Sequence, residues 1–178
     1  MKNDLEKILF TEEQIEKRIK ELGAQITKDY AGKKPLLIGV LKGCYVFLAD
    51  LARNIDLDVE IQFLTASSYG FASVSSGVVN VNKAIDFVTK DRDIILIEDI
   101  LDTGVTLTAL HAMIIKQKPA SLKTCTLLDK PERREMPYTA EYTGFTCPNE
   151  FVVGYGLDYA EKYRNLPYVA VLKKEIYA

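Results

Sequence analysis

The sequence predicts an α/β fold in which a central, mainly parallel sheet is flanked by helices. Short apolar runs of strand length alternate along the chain with longer segments whose apolar residues recur at helical spacing. Several of these runs are continuously apolar, which is typical of parallel strands buried on both faces. No internal repeat or low-complexity tract interrupts the alternation. With 178 residues and 48% hydrophobic composition, the chain is expected to form one domain over residues 1–178.

The first half of the chain predicts two helices and two strands. Thr11 precedes two glutamates and a glutamine and can cap a helix, which apolar residues at helical spacing continue to about residue 30. Residues 36–41 predict a buried strand, residues 45–54 a second helix and the alternating residues 59–64 another strand. Residues 67–79 hold serines, glycines and few large apolar side chains, which predicts a mobile loop.

The second half repeats the alternation. Residues 94–97 are four consecutive apolar residues and predict a buried strand, which is followed by a helix over residues 107–116. A strand over residues 121–127 comes next, then a polar connection with two prolines, and then strands around residues 151–154 and 168–172. In parallel sheets of this kind, ligands bind beyond the carboxyl ends of the strands.

Composition excludes several classes of protein. A formal net charge of −2 gives no broad basic surface, so extended nucleic-acid binding is not expected. The cysteines Cys44, Cys125 and Cys147 are odd in number and lack the spacing of a disulfide framework or a structural zinc site, which suits a reducing cytoplasm. The N-terminal residues are charged, and no run approaches the ~20 apolar residues that cross a bilayer. We therefore expect a cytoplasmic protein that does not enter membranes.

The most informative segment follows the strand at residues 94–97. Glu98 and Asp99 come at its expected end, and a short loop rich in hydroxyls and glycine then leads into a helix. Backbone N–H groups and hydroxyls of such a loop can bind a phosphate at the positive end of the helix dipole. Carboxylates would repel that phosphate, so Glu98 and Asp99 are expected to accept hydrogen bonds from sugar hydroxyls or to hold a metal ion. The segment therefore predicts a site for a phosphorylated sugar.

Each part of this segment also has a plain structural explanation. A Glu-Asp pair at a strand end is commonly a solvated edge, and Asp-Thr-Gly is often a turn before a helix cap. Neither the Walker A pattern nor the dinucleotide Gly-x-Gly-x-x-Gly pattern occurs in the chain. Nucleotide hydrolysis of the Walker type is therefore not expected.

A second candidate anion site lies after the strand at residues 36–41. Lys42 and Gly43 separate this strand from a helix, which is the ordinary composition of a tight turn. Free N–H groups at a helix start beside a cation would equally suit a pyrophosphate. Because this turn and the Glu98-Asp99 pair both follow parallel strands, we expect them to share one site.

The thirteen residues 94–106 resemble, as one block, the phosphoribosyl-diphosphate (PRPP) signature of the type I phosphoribosyltransferases. Leu128-Asp129-Lys130, residues 151–159 and Arg164 resemble the purine-binding segments of the hypoxanthine-guanine phosphoribosyltransferases within that family. With residues 41–43 and 67–70, the resemblance spans nearly the whole chain in the family's order. It implies the type I phosphoribosyltransferase fold, with a small hood subdomain to which residues from about 145 to 178 contribute.

The resemblance also implies a reaction. A 6-oxopurine, hypoxanthine or guanine, would displace pyrophosphate from PRPP and give IMP or GMP, with Mg²⁺ as cofactor. The partners would be these small molecules and further copies of the chain, as a homodimer or homotetramer. In the family, the peptide bond that falls here between Leu41 and Lys42 is commonly cis.

Residue roles carry over from the resemblance position by position. Asp102 would be the catalytic base, and the loop at residues 67–79 would close over the site. The residues that would bind the ribose 5-phosphate part of PRPP are Glu98, Asp99, Asp102, Thr103, Gly104, Val105 and Thr106. Those that would bind pyrophosphate are Leu41, Lys42, Gly43, Ser68, Tyr69 and Arg164. The purine would contact Lys130, Phe151, Val152 and Asp158, and the metal would be held by Asp158, Glu98 and Asp99.

The residue types suit these roles. An aromatic face such as that of Phe151 can stack on a purine. The ammonium of Lys130 only donates, so it can pair with a 6-oxo group but not with the amino group of adenine. Carbonyls near Val152 and Asp158 could accept from the 2-amino group of guanine. Val105 stands where the family often has a basic residue, so only its backbone can serve the phosphate.

Two other functions fit parts of the sequence. A phosphoribosyltransferase that prefers xanthine would need a donor for the 2-oxo group, where this chain is expected to offer carbonyls. A regulatory protein that keeps the fold but binds nucleic acid should carry a basic face, and the net charge here is negative.

Overall fold

The computed structural model describes residues 1–65 and 87–178, and the loop expected at residues 67–79 lies outside them. Short 3₁₀ helices occupy Lys2–Asp4 and Pro131–Arg133. The helices are α1 (Glu12–Asp29), α2 (Tyr45–Arg53), α3 (Val105–Ile115) and α4 (Lys174–Tyr177). The strands are β1 (Leu5–Phe10), β2 (Leu36–Leu41), β3 (Glu60–Thr65), β4 (Asp93–Leu101), β5 (Ser121–Asp129), β6 (Tyr142–Thr146), β7 (Val152–Val153) and β8 (Val169–Leu172).

The main sheet confirms the predicted α/β fold. Five strands lie in the order β3-β2-β4-β5-β6, and every neighbouring pair is parallel. The edge strand β6 was not predicted, because it has threonines and a glycine in place of an apolar run and only Tyr142 in it is buried. The carboxyl ends of the neighbouring strands β2, β4 and β5 therefore lie side by side at the same end of the sheet.

The two faces of the sheet are covered by different helices. Side chains alternate between the faces of a strand, and the apolar residues of β2 and β4 divide accordingly into two buried clusters. Leu37, Ile95 and Ile97 pack in one cluster with α1 and α2. Leu36, Ile94 and Leu96 pack in the other with α3. Burial on both faces explains why these strands are continuously apolar in sequence.

Helix α1 begins where the sequence predicted. The hydroxyl of Thr11 accepts a hydrogen bond from the Gln14 amide at 3.3 Å, and the Gln14 side chain accepts one from the Thr11 amide at 2.8 Å. This reciprocal capping box satisfies two backbone donors that the first turn leaves without helical partners.

A second, smaller sheet lies outside the main one. Its strands β1, β8 and β7 are antiparallel, in that order. The strands expected around residues 151–154 and 168–172 are present but shorter, as β7 and β8. Strand β1 and helix α4 were not predicted. β1 mixes charged and apolar residues without a clear period, and α4 has only four residues, too few to show a helical period.

Strands β4 and β5 extend further than predicted, and this changes the setting of the carboxylate pair. β4 was expected to end at residue 97 but continues to Leu101, because its backbone keeps pairing with β5. In that ladder Glu98 lies opposite Thr126 and Ile100 opposite Leu128. Glu98 and Asp99 therefore stand inside a strand rather than beyond its end. Helix α3 also begins earlier than expected, at Val105.

The cysteines and the helices agree with the composition. Cys44, Cys125 and Cys147 are all free and buried. Within the two described ranges, no helix combines the length and apolar character that crossing a membrane requires.

Candidate functional site

One cleft of about 890 Å³ opens where β2, β4 and β5 end. It is bordered on its other side by the segment that follows β7 and by Tyr177 of α4. Val105 does not line it, and Ser68 and Tyr69 lie outside the described residues. The residues singled out in the sequence that do line it are Leu41, Lys42, Gly43, Glu98, Asp99, Asp102, Thr103, Gly104, Thr106, Lys130, Phe151, Val152, Asp158 and Arg164.

The loop between β4 and α3 forms an anion-binding geometry at the start of a helix. Gly104 has a φ of 84°, a left-handed conformation that glycine adopts without a steric penalty. The carbonyl of Thr103 accepts hydrogen bonds from the amides of Glu135 and Met136, at 2.9 and 3.0 Å. These bonds fix the loop against the segment after β5. The amino end of α3, with its positive dipole, faces the cleft beside this loop.

The adjacent carboxylates Glu98 and Asp99 of β4 differ in their surroundings. Glu98 is 8% exposed, and burial together with the neighbouring charge of Asp99 raises the pKa of Glu98 well above its ordinary value. Asp99 is only partly buried and lies against Gly43 of the turn Leu41-Lys42-Gly43 at the end of β2, which we call the lysine loop. A Cβ atom at Gly43 would overlap the Asp99 carboxylate, so this close approach requires glycine.

The lysine loop meets a second loop across the cleft. The peptide bond between Leu41 and Lys42 is cis. Gly156, with a φ of 100°, passes so close to the loop that a Cβ atom on it would overlap the carbonyl oxygen of Gly43. The two backbone segments are therefore in direct contact.

A carboxylate that sequence reasoning missed joins the cations of these two loops. Glu161 accepts from Lys42 Nζ at 2.9 Å and lies 3.4 Å from Arg164 Nη2. Arg164 also pairs with Asp158 at 2.9 Å and donates to the Gly156 carbonyl at 2.8 Å. The hydrogen bond from Lys42 lowers the pKa of Glu161. No motif in the sequence pointed to Glu161, because Lys42, the partner through which it joins the two loops, is 119 residues away along the chain.

The far side of the cleft is aromatic. The ring of Phe151 is 37% exposed and stacks on Tyr177, with centroids 4.6 Å apart and planes at 22°. Tyr159 contacts Phe151 edge-on at 5.6 Å. Beside them Lys130 is buried to 7% exposure, and its Nζ donates to the Glu150 carbonyl at 2.6 Å. An ammonium has three donors, so two protons of Lys130 remain for a ligand.

Two arginines missed in the sequence hold the end of β4. Arg133 Nε donates to Asp102 Oδ1 at 3.1 Å. Arg134 donates to the backbone carbonyls of Leu101 and Asp102 and to the Asp129 carboxylate. Arg134 therefore ties the ends of β4 and β5 together beneath Asp102. The only sequence signal was two adjacent basic residues after Lys130 in a connection that otherwise predicted a solvated loop.

The carboxylates named as metal ligands do not form a complete protein cage. Across residues 1–65 and 87–178, no group of three or more His, Cys, Asp or Glu side chains could hold a metal ion. Mg²⁺ is commonly held by one or two carboxylates together with substrate phosphates and water. Asp158 and Asp99 line the same cleft and fit that mode, whereas burial disfavours the charged form of Glu98.

The geometry combines four chemical capacities in one cleft. An anion can bind at the start of α3, and a second anion can bind beside Lys42 and Arg164. A flat apolar ring can lie against Phe151, with Lys130 donating to its edge. Asp102 stands beside the first anion site and can accept a proton.

Several known proteins are similar to this chain over nearly its whole length. The family model for the phosphoribosyl transferase domain matches residues 7–160. Hypoxanthine-guanine phosphoribosyltransferase of Streptococcus pneumoniae is 51% identical over 178 residues, which cover 100% of this chain and 99% of that protein. The Bacillus subtilis protein of the same name is 51% identical over 177 residues, 99% of this chain and 98% of its own length. A crystal structure of hypoxanthine phosphoribosyltransferase from Staphylococcus aureus is 48% identical and superposes with a TM-score of 0.95, covering 100% of this chain and 97% of that one.

Replacing Glu98 by Gln should stabilise the protein at neutral pH but not in acid. Because its pKa is raised, Glu98 keeps its proton in the folded protein at pH values above about 4.3, where the unfolded chain releases it. Glu98 therefore makes the free energy of unfolding fall as the pH rises from about 4.3 toward the pKa of the folded state. We expect the Tm of Glu98→Gln to exceed that of the wild type at pH 7.5, and the difference to shrink at pH 4. Thermal unfolding at both pH values without divalent cations measures this, with the exposed Glu132→Gln as control. An equal difference at the two pH values would contradict the assignment.

Proposed function

The chain belongs to the phosphoribosyltransferase family, and we propose that it transfers the 5-phosphoribosyl group of PRPP to hypoxanthine or guanine. The products are IMP or GMP and pyrophosphate. The observation that carries this proposal is that Thr103, Lys42 and Phe151 line one cleft. A phosphate site, a diphosphate site and a purine platform must lie this close together for the two substrates to react.

The phosphorylated sugar occupies the end of β4 and the start of α3. Thr103, Gly104 and Thr106, which line the cleft, bind the 5-phosphate through N–H groups and hydroxyls, and Val105, which does not line it, offers no more than its backbone N–H. The fixed position of the Thr103 carbonyl supports this, because the loop is held open before the anion arrives. Asp99 and Glu98 orient the ribose by accepting from its hydroxyls, and a neutral Glu98 can also donate.

Pyrophosphate occupies the lysine loop. Leu41, Lys42 and Gly43 supply backbone groups and one cation, and Arg164 supplies a second cation from across the cleft. Ser68 and Tyr69, which lie outside the described residues, are proposed to close over the same group. Both described cations can reach an anion between the two loops, since a single carboxylate already bridges them.

The purine lies against Phe151. Stacking on an aromatic ring contributes about 1–3 kcal/mol per base. Lys130 donates to the 6-oxo group and selects against adenine, whose 6-amino group offers no acceptor at that position. Carbonyls at Val152 and Asp158 accept from the 2-amino group of guanine, and they disfavour xanthine because its 2-oxo group finds no donor there.

Mg²⁺ is the proposed cofactor, held by Asp158, with Asp99 and Glu98 as further candidates, and completed by oxygens of PRPP. When bound, it would neutralise charge on the departing pyrophosphate. The other charges come from the chain itself. Lys42 and Arg164 stabilise the leaving group, and the carboxylates of β4 face the positive charge that develops on the ribose.

Asp102 is the proposed general base. As N9 of the purine attacks the anomeric carbon, N7 loses its proton to the Asp102 carboxylate. Arg133 holds one oxygen of that carboxylate and Arg134 holds its backbone carbonyl, so the group is oriented before the purine binds. The loop at residues 67–79 would exclude water, because hydrolysis of PRPP is the competing reaction.

The experiment that tests this function is an assay of the purified protein with PRPP, Mg²⁺ and each of four purines. We expect turnover of hypoxanthine and guanine, with xanthine much slower and adenine inactive. Faster turnover of xanthine would favour the xanthine-preferring enzyme. No turnover, together with tight nucleic-acid binding at moderate salt, would favour the regulatory protein.

We also propose that the protein acts in the cytoplasm as a homodimer or homotetramer. The free, buried cysteines suit a reducing compartment, and the oligomer is carried over from the family. Light scattering coupled to gel filtration tests the oligomer, and a monomer at micromolar concentration would overturn it.

Replacing Asp102 by Asn should reduce turnover by about 10²–10⁴-fold, the usual contribution of a general base. An amide of the same shape keeps the loop but cannot accept the N7 proton. PRPP affinity, measured by calorimetry, should stay within threefold of the wild type. A variant that turns over hypoxanthine at the wild-type rate would remove Asp102 from the chemistry.

A further inference from the structure

We propose that Tyr177 of α4 is a positioning residue for the purine, because it stacks on one face of the Phe151 ring and forms the second layer of an aromatic stack. The proposal rests on the proposed function, since it concerns the platform on which the purine lies. It assigns a role in base binding to a helix of four residues that forms no part of the sequence motifs.

The first support is the packing of the rings. Tyr177 and Phe151 are nearly parallel, 4.6 Å apart between centroids and inclined by 22°. Tyr159 meets the edge of Phe151 at 89°. Phe151 is therefore held on one face and one edge, yet it remains 37% exposed and lines the cleft. A ring in this position offers its remaining face to a ligand.

The second support is that Tyr177, which borders the cleft, is anchored to the body of the protein. Helix α4 begins two residues after β8, whose last residue Leu172 donates its amide to the Phe151 carbonyl at 2.8 Å. Ile176 and Tyr177 then pack on a small apolar cluster formed by Val153, Tyr163, Leu166 and Leu172. Tyr177 is thus a fixed wall of the site, and a purine adds a third layer without displacing it.

The consequence is a preorganised platform. An exposed aromatic ring without support loses rotational freedom when a base stacks on it, and that loss weakens binding. Because Tyr177 already fixes the Phe151 ring in the free protein, the ring loses little further rotational freedom when the base binds. The contribution should appear in purine binding and not in PRPP binding, because the partners seen for Ile176 and Tyr177 are the apolar cluster and Phe151.

The test compares three variants by their KM values for hypoxanthine and PRPP. Tyr177→Leu keeps apolar bulk on the cluster but removes the flat face, and its KM for hypoxanthine should rise about 2- to 10-fold, the range that an aromatic pair contributes. Its KM for PRPP should stay within twofold. Tyr177→Phe restores the ring and should match the wild type. Ile176→Ala disturbs the same cluster without touching Phe151 and should leave both KM values within twofold.

Three results would overturn the proposal. An unchanged KM for hypoxanthine in Tyr177→Leu would mean that the platform needs no support, and a lowered KM would mean that Tyr177 occupies the place of the base. Equal rises in Tyr177→Leu and Ile176→Ala would reduce Tyr177 to a role in folding. An inactive wild type would instead refute the proposed function, so the two failures are distinguishable.

A second proposal stands on the ion pairs of the lysine loop. We infer that Glu161 occupies, in the free protein, the place between Lys42 and Arg164 that the diphosphate takes when PRPP binds. One carboxylate oxygen lies 2.9 Å from Lys42 Nζ and the other lies 3.4 Å from Arg164 Nη2. A carboxylate that bridges two cations in this way imitates a bridging diphosphate.

Glu161 is suited to leave when the substrate arrives. Its side chain is 66% exposed, and so is most of Lys42, so the pair is solvent-screened and weak. Its backbone stays in place, because the Glu161 amide donates to Asp158 Oδ2 at 2.9 Å. Glu161 therefore keeps two like charges together in the free protein and competes mildly with the diphosphate.

Titration of Glu161→Gln with inorganic pyrophosphate and Mg²⁺ tests this inference. Because exposed ion pairs contribute little, affinity should rise only about 1.5- to 5-fold over the wild type. Glu132→Gln removes an equal charge from an exposed position and should leave the affinity unchanged. Weaker binding by Glu161→Gln would show that the carboxylate orients the cations instead of competing. Equal binding by both variants and the wild type would also overturn the inference, whereas a wild type that binds no pyrophosphate would refute the proposed function.

Discussion

The close approach of three segments of the chain at Gly43 is the constraint on which the cleft depends. The lysine loop after β2 runs against the Asp99 carboxylate of β4 on one side and against Gly156 on the other, with no room for a side chain between them. This contact brings Lys42 and Arg164 to opposite walls of one narrow space. It also joins the main sheet, which carries the proposed phosphate site, to the segment that carries Asp158. Without it the two anion sites and the ring would lie on separate surfaces.

This contact also separates the acidic and the basic side chains of the cleft. Carboxylates lie on β4 where a sugar would pass, and burial keeps one of them, Glu98, from charging freely. Cations lie beyond them, and Glu161 neutralises these cations in the free protein. Glu161 thus offsets the repulsion between Lys42 and Arg164 until a ligand takes its place. The net charge of the chain stays close to zero although the proposed substrate carries three phosphate groups.

The sequence could predict the elements whose signals are local. These signals depend on neighbours within a few residues. They are the apolar runs of β2 and β4, the cap at Thr11, and Gly104 in the loop between β4 and α3. Glu161, Arg134 and Tyr177 escaped prediction because each has a decisive partner far along the chain, respectively Lys42, the end of β4 and Phe151, and no local rule marks them. The length of β4 was misjudged for a related reason, since its pairing with β5 continues past Glu98 and Asp99 in spite of their polarity. Edge strand β6 lacks the apolar run that marks a buried strand.

The most direct measurement is the calorimetric affinity of Gly156→Ala for PRPP with Mg²⁺, compared with the wild type. A methyl group at this position would overlap the backbone carbonyl of Gly43, so it must push the lysine loop away. Since misplacement by about 1 Å can cost about 100-fold in function, we predict that affinity falls at least about tenfold while circular dichroism shows an intact fold. A folded variant that binds PRPP as tightly as the wild type would contradict the convergence of the three segments as the basis of the site.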